Sequence, residues 1–211
     1  MLTYRDSCYY DFYDYHQFQF PSKCLYNHDP IYGKANTPLK GSLNNDYFRT
    51  YLYFCAMRGN AFTEMYYTYS MLDEGDKWYI NSEVLKWTES HFDVIQNSQR
   101  FGGDPRTASV YGYSAWNEKS GIIAIRNPSG RSTNYKLKID SKIGVPEKVG
   151  TTYRKSVLTH NTAQDLEEGK ATNYNDEIVF DLKPREVRII EFTNEKDIEA
   201  PKVELCKALS K

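Results

Sequence analysis

The chain has 211 residues, with 27 Lys and Arg against 28 Asp and Glu for a net charge of −1. That balance argues against a nucleic-acid binder working by phosphate neutralisation, and no apolar run approaches the roughly 20 residues of a membrane-spanning helix. What stands out is 19 Tyr, 10 Phe and 3 Trp, rings that can fill a core or offer flat platforms to ligands.

Met1 to Phe20 is acidic and tyrosine-rich, where a secretory signal needs a basic start and an apolar centre. The compartment is left open. Asp6, Asp11 and Asp14 stand among its tyrosines, with His16 nearby. Paired carboxylates there could serve glycoside hydrolysis; a solvated acidic loop is the plainer reading. Lys23 to Tyr26 predicts a short strand ending at Asn27-His28-Asp29-Pro30, because Pro30 biases Asp29 away from helix. At the C-terminal end of a parallel strand, His28 and Asp29 would line the functional face of an α/β barrel. The alternative is a turn in which Asp29 caps backbone N–H groups.

A loop is predicted to about Ser42. Asn44-Asn45-Asp46 then offers caps for a helix carrying Tyr47, Phe48, Tyr51, Leu52 and Cys55, with Gly59 just beyond it. Phe62 to Met71 reads as a second strand. Glu64 inside it either faces a barrel lumen or, more plainly, pairs with Arg58. Asp73-Glu74 follow as an active-site loop or a solvated charged turn. Gly75-Asp76 opens a second helix with Val84, Leu85, Thr88, Phe92 and Ile95 along one side. Strand, helix, strand, helix predicts parallel βα units.

Composition shifts at Gly102-Gly103-Asp104-Pro105, where a domain boundary is placed, dividing the chain into 1–104, 105–193 and a charged tail, 194–211. Ser109 to Trp116 and Gly121 to Arg126 flank a polar turn and predict a hairpin. Tyr135 to Ile139, Glu177 to Leu182 and Val187 to Phe192 add strands, and the recurring turns favour an antiparallel β-sandwich. Trp116 is expected in a core or an interdomain seam, with a sugar-facing plate as the alternative. Cys8, Cys24, Cys55 and Cys206 form no C-x-x-C pair and fit no zinc motif; buried free thiols are expected, with one disulfide possible in principle. There is no nucleophile elbow and no phosphate loop, so no cofactor is expected.

Four strings together resemble a known group: Tyr26-Asn27-His28-Asp29-Pro30-Ile31-Tyr32-Gly33, Met57-Arg58-Gly59-Asn60-Ala61-Phe62-Thr63-Glu64, Gly102-Gly103-Asp104-Pro105 and the Tyr111 to Ser129 hairpin. They resemble the last part of α-galactosidase-like and endo-α-N-acetylgalactosaminidase-like glycoside hydrolases. The resemblance implies the last βα units of a (β/α)8 barrel followed by an antiparallel β-sandwich. It also implies cleavage of an α-linked glycoside such as an α-galactoside by two carboxylates in a retaining mechanism. The matching region begins near the last barrel strands, so the nucleophile is expected outside this chain. A carbohydrate partner is implied, and a substrate-cleft role carries over to His28 and Asp29. About 100 residues before the sandwich fall short of the roughly 200–250 of a complete barrel, which predicts a chain poorly soluble or silent alone. A non-catalytic carbohydrate-binding module using aromatic stacking is the alternative function.

Overall fold

The computed structural model describes residues 2–17, 20–33, 44–158 and 168–194. The loop expected to Ser42, Cys206 and nearly all of the predicted tail lie outside the described residues.

The acidic N-terminal stretch folds as helix α1 (Leu2–Tyr10) and a π-helical turn at Asp11–Tyr15. Leu2, Asp6 and Tyr9 are buried at helical spacing, so the stripe facing the core has a carboxylate at its centre. The solvated-loop reading therefore fails for Asp6. The strand expected over Lys23 to Tyr26 is shorter and later. Ser22–Cys24 makes one 3₁₀ turn, and extended backbone comes as β1 (Tyr26–Asn27) and β2 (Ile31–Tyr32).

Helix α2 (Asn45–Ala56) is capped as predicted, the Asn44 side chain accepting from the Tyr47 N–H at 2.8 Å. The expected second strand breaks into β3 (Phe62–Thr63) and β4 (Tyr66–Tyr67), followed by a single turn, α3 (Tyr69–Leu72). β3 runs parallel to β1, and β4 parallel to β2. The break falls opposite His28-Asp29-Pro30, where Pro30 has no N–H to give the ladder. Two bonds still cross the gap, from Glu64 N to Asn27 O and from Tyr66 N to Pro30 O. Helices α4 (Lys77–Ser90) and α5 (Phe92–Ile95) complete this part. Val84 and Ile95 of the predicted apolar side are buried, whereas Leu85 is exposed.

The rest is built on an antiparallel sheet of six strands in the order β10 (Ala171–Thr172), β9 (Thr152–Ser156), β12 (Val187–Thr193), β7 (Ser120–Arg126), β6 (Tyr111–Trp116), β5 (Gln99–Gly102). β5 lies ahead of the compositional shift, so the sheet takes its edge from the helical segment. A two-stranded ribbon, β8 (Thr133–Lys138) with β11 (Glu177–Leu182), covers one face. Burial patterns report this layering. β11 alternates exposed and buried, as one-sided strands do, while β7 is buried almost throughout. Ile123 and Ile125 of β7 join Leu137, Ile178 and Phe180 of the ribbon in one core. Ile122 and Ala124 face the other way and pack with Phe54 of α2 and Tyr111 and Tyr113 of β6.

Candidate functional site

The period of two in β1 and its continuation decides what faces where. Tyr26 and His28 are exposed, Asn27 and Asp29 buried. His28 and Asp29, grouped by the sequence, therefore lie on opposite sides of the strand.

Asp29 belongs to a buried charge network. Arg58, just past α2, is 0% exposed and donates from Nε to Asp6 at 2.9 Å and from Nη1 to Asp29 at 2.8 Å. The hydroxyls of Tyr111 and Tyr113 donate to the two oxygens of Asp6 at 2.6 and 2.8 Å. Arg5 approaches Asp29 at 3.3 Å, and the Arg58 guanidinium stands 5.5 Å over the Tyr9 ring. Desolvation pushes the Tyr9 hydroxyl up to about 12, against the opposing pull of Arg58. Burial likewise holds Tyr111 and Tyr113 well above the ordinary tyrosine value. Arg126 donates to Tyr111 at 2.5 Å and to Thr3 at 3.1 Å. Asp11 and Asp14 are bound by Arg106 at 2.6 Å and Arg100 at 2.5 Å. Each N-terminal acid thus meets an arginine of the main fold. This is a structural clasp, with Asp29 as one anchor.

The exposed side of the two parallel pairs is different. Phe62, Glu64 and Tyr66 project beside Tyr26 and His28. Glu64 Oε2 accepts from the Tyr66 hydroxyl at 2.8 Å and from the Tyr26 hydroxyl, and lies 3.2 Å from His28 Nδ1. His28 Nδ1 is also 3.1 Å from the Tyr66 hydroxyl oxygen. The hydrogen bond to Glu64 raises the Tyr66 hydroxyl above its ordinary value. Arg58 is committed to Asp6 and Asp29, so the expected Glu64–Arg58 pair does not form. The Tyr26 and Phe62 rings stack at 5.0 Å, and His28 stands edge-on to Tyr26 at 4.3 Å. Tyr26 is 48% exposed and Phe62 61%. The result is a shelf of flat rings around one carboxylate. Phe62 stood in one of the resembling strings without being singled out, and Tyr66 in none; their signal was the alternation of Phe62-Thr63-Glu64-Met65-Tyr66, in register with the strand bearing His28.

Trp116 has no place on any such surface. It is 3% exposed, its ring 5.1 Å from Phe192 and its Nε1 donating to Ser114 at 2.7 Å. Of the described cysteines, Cys55 alone is buried, its thiol pushed up to about 12 by desolvation; Cys8 and Cys24 are exposed, and all three are free. Among the described residues no group of His, Cys, Asp and Glu is placed to hold a metal ion, and no helix is long and apolar enough to cross a membrane.

The chain is similar to part of several solved α-galactosidase-like glycoside hydrolase structures. Over 77% of its length it matches 36% of a candidate α-N-acetylgalactosaminidase from Bacillus halodurans, at 14% identity and a TM-score of 0.47. A β-L-arabinopyranosidase from Geobacillus stearothermophilus, in complex with arabinose, matches 71% of the chain over 31% of its own, at 16% identity and a TM-score of 0.44. α-Galactosidase I from Mortierella vinacea matches 71% over 36% of its own, at 12% identity and a TM-score of 0.42. The chain spans about a third of the length of these structures. No protein-family model matches it, and neither does any curated protein sequence.

Proposed function

We propose that this chain is the C-terminal portion of a glycoside hydrolase acting on α-linked glycosides such as α-galactosides. In this reading the parallel pairs and their helices are the last βα units of a (β/α)8 barrel, and the antiparallel strands are the β-sandwich that follows. The observation that carries it is the shelf. Sugar rings present an apolar face and a rim of hydroxyls, and Tyr26, Phe62 and Tyr66 offer flat apolar surface beside a carboxylate already organised by two phenols and an imidazole. With Nδ1 turned to Glu64, His28 keeps Nε2 as the acceptor for a sugar hydroxyl. Asp29 acts indirectly: its bond to Arg58 fixes the strand from which His28 projects.

A retaining mechanism needs two carboxylates roughly 5 Å apart. The shelf supplies one, Glu64, in the role of holding substrate. The nucleophile and its acid/base partner are assigned to residues outside this chain. Saturation-transfer NMR with methyl α-galactoside tests the reading. Transfer to the sugar is expected from the folded chain and is lost in Tyr26→Ala and Phe62→Ala, with no glycoside hydrolysed by the chain alone. A folded chain giving no transfer to any galactoside, or giving it undiminished in both variants, overturns it.

A further inference from the structure

Three residues beyond Tyr66 the chain carries a second aromatic surface. Tyr69 opens α3 and is 72% exposed; Trp78, in the first turn of α4, is 47% exposed. Their rings stack with centroids 6.0 Å apart and planes 16° from parallel. Trp78 Nε1 donates to Asp73 at 2.8 Å, which fixes the indole plane before any ligand arrives. Tryptophan is highly buried on average, so the indole of Trp78 leaves an unusually large flat apolar face in solvent.

The connecting turn does not need these rings. Lys77 Nζ donates to the Glu74 carbonyl at 2.8 Å, and Ile80 N bonds Asp76 O at 2.8 Å. Gly75, at φ +66°, backs onto the Asn45 side chain. Asp73, Glu74 and Asp76 are all exposed around the platform. Three carboxylates repel an anionic ligand, which disfavours nucleotides and phosphorylated sugars. They supply acceptors for hydroxyl groups. Flat ring and acceptor rim together suit a neutral pyranose.

We infer that Tyr69 and Trp78 form a second sugar-stacking subsite, which holds a neutral hexose unit of an extended glycan beyond the unit on the shelf. The inference rests on the glycoside reading for its ligand class, not for its geometry. Tyr66 and Tyr69 are three residues apart, which holds their Cα atoms within about 11 Å, so the two surfaces stand on adjoining stretches of the chain.

Calorimetric titration of the chain with galactose and with an α-linked galactotriose tests it. The triose is expected to bind about tenfold more tightly than galactose, the scale of one aromatic stacking contact of about 1.4 kcal/mol. Trp78→Ala should abolish that advantage and leave galactose affinity unchanged; Trp78→Phe, which keeps a ring, should retain most of it. Galactose binding with no triose advantage, or an advantage that survives Trp78→Ala, overturns the subsite and leaves the shelf reading standing. Triose binding that Trp78→Ala abolishes and Tyr26→Ala does not touch supports the subsite and sinks the shelf. No binding of either sugar overturns both. A dimer that Trp78→Ala converts to monomer, with no change in sugar affinity, overturns the subsite in favour of a second copy of the chain.

Discussion

At the residue scale the side chains that looked most reactive divide into structural and surface roles by the face they occupy. Asp6 is the decisive case. It holds a fully buried arginine and two buried phenols, so removing its charge leaves Arg58 with Asp29 as its one ionic partner among the described residues. Removing a partner from a buried ion pair costs up to about 3–5 kcal/mol, the full figure when no counter-charge remains. Asp6→Asn is expected to lose stability on that scale by urea denaturation, while Asp11→Asn, whose pair with Arg106 is exposed, loses less than about 1 kcal/mol. Equal losses would contradict the clasp. The same burial sets an alkaline limit. Tyr9 is raised from 10.0 to about 12, so the folded state favours its neutral form. That contribution is complete below pH 10 and is lost as pH rises through 12. Tyrosinate absorbance should therefore rise together with loss of near-ultraviolet circular dichroism; buried tyrosines ionising in a chain that keeps its signal would contradict it. The sequence showed Asp6, Asp29 and Arg58 but not their meeting, since their contacts join three segments far apart in the chain. His28 and Glu64 were visible as polar residues at strand positions. Their pairing required the parallel register that the structure supplies.

At the scale of elements, legibility followed whether apolar residues alone specify the strand. β7, β11 and β12 carry continuous or alternating apolar side chains and were readable, as were α2 through its Asn44 cap and the β6–β7 hairpin through its polar turn. β5, β9 and β10 were not. β9 reads Thr-Tyr-Arg-Lys-Ser and is only partly buried beyond its first residue, so its pairing with β12 holds it, not its own pattern. α1 was missed because a carboxylate sits where the helical stripe wants an apolar group. Close approach in the hairpin gives a sharper test. A Cβ on Gly112 would stand 2.1 Å from the Ala124 carbonyl oxygen, whereas one on Gly130 meets nothing within 4 Å. Gly112→Ala should therefore cost about 3 kcal/mol in chemical denaturation, and Gly130→Ala should change stability by less than about 0.5 kcal/mol. Similar values for the two would refute the packing of β6 against β7.

At the scale of the whole molecule the two parallel pairs are the exposed flank. β3 pairs with β1 and β4 with β2, and no further described strand joins them. The N–H groups of Glu64, Tyr66 and Thr68 point inward to Asn27, Pro30 and Tyr32. By alternation those of Thr63, Met65 and Tyr67 point outward along an open edge. Beside that edge lies a groove of about 310 Å³ lined in part by Leu52, Met65, Val84 and Phe92. Unpaired backbone next to apolar surface is the arrangement that recruits another strand. The isolated chain is therefore expected to self-associate with rising concentration in sedimentation velocity. A charge at the edge opposes strand addition, so Met65→Lys should shift the population toward monomer. Met65 is 37% exposed, so this variant should keep the thermal midpoint of the parent. A parent chain that stays monomeric at high concentration, or a Met65→Lys variant that associates just as strongly, would place the contact elsewhere. If the barrel reading holds, this same edge is where a preceding strand would pair, and Met65→Lys would weaken its docking too.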